Sequence, residues 1–205
     1  MQRTRLLEAA AAVFARAGYA DASAEAIARE AGMSKATFYE HFDNKEECIL
    51  ALFDQAAAET LQAMGEATSA AGHDSRKRME AGAKAFLEML AEHPNESQTL
   101  LVEIIGVGDR GAERRDNILS TFAQAIDAEN ANAARKGSMR RFASPDDAYA
   151  IVGAVVELAS RDDAFAIIGA CVELVSRSLR TGQPPDVLAL EPVIARLMLG
   201  MLERA

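Results

Sequence analysis

The stretch Ser23–Lys45 reads SAEAIAREAGMSKATFYEHFDNK, and its reading decides the fold. Ser23 is an N-cap residue whose hydroxyl can accept a hydrogen bond from a free backbone N–H, so it opens helix 2, which holds Ala24 to Ala31. Ile27, Ala28 and Ala31 fall on its inward face. Ala28 is small enough to let two crossing helices approach in a tight turn. Gly32 stands where the chain must leave the helix, a position that favours positive φ. Met33 then packs inward and Ser34 caps helix 3. Phe38 and Phe42, four apart, anchor that helix to its neighbours. Two short helices, a glycine break and two caps at this spacing are the signature of a helix-turn-helix.

Upstream, helix 1 is predicted from about Thr4 to Ala17 with Gly18 as its stop. Leu6, Leu7, Ala10, Val13, Phe14 and Ala17 form one apolar stripe on it. Arg3, Arg5 and Arg16 lie off the stripe, where a solvated face competes with phosphate contact. Net charge is −9, which sits awkwardly with a nucleic-acid partner. Residues 1–50 carry six Lys/Arg against eight Asp/Glu, and residues 51–205 carry sixteen against twenty-three. The acid is concentrated downstream, but the first fifty residues are not basic either. Any DNA affinity has to come from a few well-placed groups.

The residues Arg5–Leu6–Leu7, Ala9–Ala10, Phe14, Gly18–Tyr19, Ile27–Ala28, Ala31–Gly32–Met33–Ser34, Thr37–Phe38–Tyr39, His41–Phe42 and Lys45–Glu46 closely resemble the N-terminal signature of the tetracycline-repressor (TetR) family. The strict match covers about a quarter of the chain; beyond it the similarity is one of layout. The resemblance implies an all-α homodimer, a variable ligand-binding body and repression relieved by a small molecule.

Abundant alanine, five prolines and few aromatics favour helix over sheet. We therefore expect an all-α chain of about nine helices. Residues 1–46 would be a three-helix DNA-binding head and residues 47–205 a ligand-binding and dimerisation body. No apolar run approaches the ~18 residues of a membrane span, and Glu8 interrupts the N-terminal helix against a signal-peptide reading. Cys48 and Cys171 form no C-x-x-C pair and read as small buried residues in a reducing cytoplasm.

Helix 4 opens at Asn44, with Glu47 as a capping-box partner, and is expected to reach about Met64 before a Gly65–Gly72 break. Helix 5 is predicted over Arg76–Ala91, helix 6 over Asn95–Val107 and helix 7 over Glu113–Lys136. A basic loop, Gly137 to Pro145, follows with Arg140 and Arg141; it reads as solvated, with DNA contact as the lesser alternative. Residues 146–161 (DDAYAIVGAVVELASR) and 162–177 (DDAFAIIGACVELVSR) are a tandem repeat with twelve of sixteen positions identical. At about 100° per residue, sixteen positions turn the second copy about 160° past four full turns. Either the helix breaks near Ser160–Asp163, or the two stripes pack on different partners. A last helix, Leu190–Leu202, carries an apolar face, and helices 8 and 9 are the expected homodimer contact.

Candidate DNA contacts are Ser23, Ser34, Lys35, Ala36, Thr37, Tyr39, His41 and Lys45. Lys35 can donate to guanine O6 or N7, Ala36 can meet a thymine methyl, and Thr37 can serve base or phosphate. The resemblance assigns Tyr39, His41 and Lys45 to phosphates, and Glu40 reads as solvated. Met64, Phe86, Met89, Glu103 and Phe122 are candidates for lining a cavity for an unknown small-molecule effector, with plain core as the competing reading. Methionines adapt to varied apolar ligands. No nucleophile elbow, phosphate loop or metal cluster is present, and His41, His73 and His93 lie in separate elements. The expectation is therefore a cytoplasmic regulator of a double-stranded DNA operator, without cofactor, metal or membrane. An all-α ligand-binding or interaction protein, or an enzyme, without a DNA role is the rival.

Overall fold

A computed structural model describes residues 1–142 and Ala148. Among these it holds α1 (Gln2–Asp21), α2 (Ala24–Glu30), α3 (Lys35–His41), α4 (Lys45–Ala70), α5 (Ser75–Glu92), α6 (Pro94–Leu101), a 3-10 turn (Glu103–Val107) and α7 (Asp109–Arg135). The described residues contain no strand, as expected for an all-α chain. Contacts divide the chain into two compact units. The first is Met1–Glu59 with His93–Asp116; the second is Thr60–Glu92 with the described residues from Asn117 onward. The 146–177 repeat, Cys171 and the expected helices 8 and 9 lie outside the described residues.

In the first unit, the α1 stripe buries Leu6, Leu7, Ala10, Val13 and Phe14 against Ile27, Ala28, Phe38 and Phe42. The Phe38 and Phe42 rings lie 5.6 Å apart, centre to centre. Cys48, Ile49 and Leu52 from the start of α4 close the same core. Burial pushes the Cys48 thiol up to about 12, so it stays protonated and unreactive.

Four predicted boundaries change, one being the start of helix 7, at Asp109 and not Glu113. Gly18 does interrupt α1, at φ 77° and ψ 159°, but a further helical stretch runs on to Asp21. Helix 4 does not break at Gly65. A glycine in a helix interior costs only about 1 kcal/mol, and local bonds support the helix: Gln62 donates to Glu66 at 2.8 Å and Ser69 Oγ to the Gly65 carbonyl at 2.8 Å. The chain turns at Gly72 instead, with φ 78°. Helix 6 stops at Leu101 and gives way to the 3-10 turn, because the Glu103 carboxylate is drawn to the Tyr19 backbone N–H at 2.7 Å. Gly111 faces that turn so closely that a Cβ there would lie 2.5 Å from the Ile104 carbonyl oxygen.

In the second unit, Leu119, Phe122 and Ala123 pack with Leu61, Met64, Ile118, Ile126 and Phe142. Arg141 is not simply solvated, as read from the sequence. Its guanidinium makes two bonds to Asp127, at 2.5 and 2.8 Å, and a third to Asn130 Oδ1 at 3.1 Å. Buried Asn130 also donates to the Arg140 carbonyl and accepts from the Phe142 N–H, which fixes the turn after α7.

Candidate nucleic-acid interface

The α2–α3 junction is closed by two backbone bonds. The Met33 N–H donates to the Ala28 carbonyl at 2.8 Å and the Gly32 N–H to the Arg29 carbonyl at 3.0 Å. These are the two bonds of a Schellman stop, with Gly32 at φ 66° as the left-handed residue. Arg5 reaches from α1 to the Ala31 carbonyl at 2.9 Å, so this cation is spent on the end of α2. Both predicted serine caps form: Ser23 Oγ accepts from the Ala26 N–H at 3.2 Å and Ser34 Oγ from the Thr37 N–H at 3.0 Å.

Phe38, fully buried, pins α3 to the core and orients the rest of the helix. Ser34, Lys35, Ala36, Tyr39 and Glu40 are exposed, and Thr37 and His41 are half-buried. The Tyr39 ring stands edge-on to Phe38, 5.4 Å away. Lys35 pairs with Glu25, in the first turn of α2, and its ammonium also lies 5.8 Å above the Tyr39 ring. The bond to Lys35 holds the Glu25 carboxyl below the usual range and raises the Lys35 ammonium.

Two predicted contacts are used differently by the structure. The Lys45 ammonium donates to the carbonyls of Tyr19, Ala20 and Ala22 at 2.8, 2.9 and 3.1 Å and lies 4.6 Å from the Tyr19 ring centre. It closes the end of α1 and does not extend toward a ligand. His41 keeps Nε2 enclosed without a hydrogen-bond partner, so that nitrogen is not presented outward. Ser23 lies at the cap of α2, half-buried. Asn44 does cap α4, through Oδ1 to the Glu47 N–H at 2.9 Å. Glu47, however, pairs with Arg110 at 2.7 Å, as Glu46 does at 2.8 Å. Sequence reasoning missed Glu25. No periodicity rule links positions ten apart across a turn; only the acid at the start of α2 and the lysine at the start of α3 hint at the pair.

A separate cavity of about 260 Å³ lies within the second unit. Leu61, Met64, Met79 and Ile126 supply apolar wall; Thr68, Arg78 and Glu129 supply polar groups. Of the predicted cavity residues only Met64 borders it. Phe86 and Phe122 meet edge-on with ring centres 6.4 Å apart and do not border it; Phe122 is buried, and Phe86 and Met89 are half-buried. Glu103 belongs to the first unit, where it also accepts from Gln98 at 2.9 Å.

Residues 6–52 match the model of bacterial regulatory proteins, tetR family. A stretch of 102 residues is 33% identical to the HTH-type transcriptional activator FasR of Mycolicibacterium smegmatis, covering 50% of this chain and 46% of that protein. The chain thus spans about half the length of this curated relative. The fold is similar to that of the fatty acid degradation regulator FadR from Bacillus halodurans, with a TM-score of 0.80, 19% identity and coverage of 97% and 95% of the two chains. It is also similar to the transcriptional regulator FadR from Bacillus subtilis in complex with stearoyl-CoA, with a TM-score of 0.76, 18% identity and coverage of 97% and 98%.

Proposed function

We propose that the chain, whose residues 6–52 match the model of bacterial regulatory proteins of the tetR family, is a regulator of that family: a sequence-specific DNA-binding protein, a repressor rather than an enzyme. The observation that carries this is the polarity of α3: Phe38 is sunk in the core while Ser34, Lys35, Ala36 and Tyr39 face outward on one short helix. A recognition helix presents its first residues to base edges in the major groove in this way. Lys35 and Ala36 read bases, while Thr37 and Tyr39 position the duplex on phosphates. Lys45 serves the interface indirectly, by fixing the α1 end beside it.

The protein acts in the cytoplasm as a homodimer, through helices 8 and 9, on a roughly palindromic operator. Residues 1–46 read DNA; residues 47–205 sense and dimerise. A small-molecule effector enters the cavity bordered by Leu61, Met64, Met79 and Ile126. The Bacillus subtilis neighbour was crystallised with stearoyl-CoA, which supports an effector with an apolar tail.

Retardation of host genomic fragments by the folded protein, measured across a salt titration, tests the DNA reading. Specific, salt-sensitive retardation is expected; none would leave the rival reading of a ligand-binding or interaction protein. Lys35→Ala is expected to lower discrimination between operator and scrambled DNA about tenfold. Equal losses on both would contradict its role. The Mycolicibacterium smegmatis relative is named an activator, so a reporter gene fused to the selected operator decides the sign: repression predicts higher expression when the regulator is deleted.

A further inference from the structure

We propose that Glu25 is a specificity-determining residue, which holds Lys35 away from DNA phosphates until a base edge takes the place of its carboxylate. The inference deepens the DNA reading above and rests on it. Three observations place it.

First, Lys35 is the one candidate base-reading cation on α3, and in the DNA-free protein its ammonium is engaged by Glu25 of α2. Second, both side chains are about half exposed, each at 54%, so the pair is solvated and its partner is exchangeable. An exposed pair of this kind contributes little to folding. Third, four of the other five cations of the head are held in different ways: Arg5 on the Ala31 carbonyl, Arg16 on Glu30, Lys45 on the end of α1, and Arg3 over the Phe42 ring; the fifth, Arg29, is exposed on α2. Among these, only Lys35 lies on the α3 surface offered to the groove, and only its partner sits beside that surface.

The physical consequence follows from competition between acceptors. On non-cognate DNA a phosphate oxygen offers Lys35 about what Glu25 already offers. The exchange gains little, and it leaves an unpaired carboxylate next to a polyanion. On cognate DNA the same carboxylate is left unpaired, but donation to guanine O6 and N7 adds a contact that exists only at that base pair and offsets it. The Tyr39 ring below the ammonium limits the directions in which the side chain can swing. Glu25 therefore suppresses weak, sequence-independent attachment more than it suppresses the specific complex. This suits a head with six Lys/Arg against eight Asp/Glu in its first fifty residues.

The test compares the full-length wild type, Glu25→Gln, Lys35→Ala and the double variant on a selected genomic operator and a scrambled fragment of equal length, each over a salt titration. Circular dichroism melts confirm that the exposed substitutions leave the fold intact. Glu25→Gln is expected to tighten the scrambled fragment about fivefold and steepen its salt slope by about 0.9, while the operator changes less than about twofold. In the Lys35→Ala background, Glu25→Gln should shift both fragments alike, because the lysine through which it acts is gone. Equal tightening of both fragments by Glu25→Gln alone overturns the proposal, as does a selective tightening of the scrambled fragment by Glu25→Gln that persists in the Lys35→Ala background. These outcomes leave the regulator reading standing. A wild type that retards no fragment removes that reading, and this one with it.

Discussion

Around α1–α3 the interior is apolar: Leu6, Val13, Phe14, Ile27 and Phe38 meet directly, and the buried polar side chains of the first unit, Ser97, Gln98 and Thr99, all come from α6. In the second unit buried polar groups come from α4, α5 and α7 alike. Thr60, Ser75 and Asn130 are buried there, and Ser138 Oγ donates to Ser75 Oγ at 2.9 Å. The Arg78 guanidinium forks onto Glu129 at 2.5 and 2.8 Å, at the wall of a cavity. A close-packed apolar core holds its surface in one geometry, which a base-reading helix needs. A core with directed polar bonds and unfilled volume keeps its shape at fewer points and leaves room for a guest.

The contrast can be broken most strongly at Phe38. Phe38→Ala should destabilise the first unit by about 3–5 kcal/mol, seen as a lower urea midpoint, and abolish DNA binding along with it. Loss of binding with an unchanged midpoint would mean that Phe38 is not the anchor of α3. Lys45→Met comes next. It retains the stem and removes three donors, for a loss of about 1–3 kcal/mol, with operator and scrambled DNA weakened alike. Unaltered melting would assign Lys45 to the ligand and not to the α1 end.

Glu129→Gln should lower stability by about 1–2 kcal/mol at neutral pH, between a charge-assisted bond and a surface pair. The bond from Arg78 holds this carboxyl below its ordinary range. Its contribution is thus fully present above the unfolded carboxylate pKa and is lost as pH falls through the lower, folded value. Thermal melts of wild type and variant should therefore separate at neutral pH and converge in acid; a constant gap would remove the pair from the pH response. The smallest effect is expected from Lys84→Ala. Its i,i+4 pair with Glu88 lies on the exposed side of α5 and should contribute about 0.3–0.5 kcal/mol, within a small shift of the urea midpoint.

What was legible in the chain was local. Ser23, Gly32, Ser34 and the Phe38–Phe42 pair act on neighbours within a few positions, so spacing alone revealed the caps, the stop and the buried side of α3. What was not legible depends on residues brought together by folding. Lys45 finds its carbonyls 23 to 26 positions earlier, and Glu103 finds the Tyr19 N–H 84 positions away. Both are charged side chains on partly apolar helices, and the pattern offered phosphate or ligand as the easier partner. The run through Gly65 escaped for a related reason: glycine marks a possible break, while the side-chain bonds that keep the helix intact depend on which residues flank it. In the cavity, Met64 was legible as an adaptable apolar residue, but Phe86 and Phe122 turned toward each other.

The Lys45 clamp also makes the side chain a reporter. Acylation of an amine needs its lone pair and a free line of approach, and this ammonium directs its donors at three carbonyls beneath an aromatic ring. Lys35, half exposed, has a single carboxylate to leave. In a timed labelling experiment Lys35 would react early and Lys45 only once the end of α1 has come apart. The lag between these two modifications would clock the opening of the head in one molecule, without any added dye.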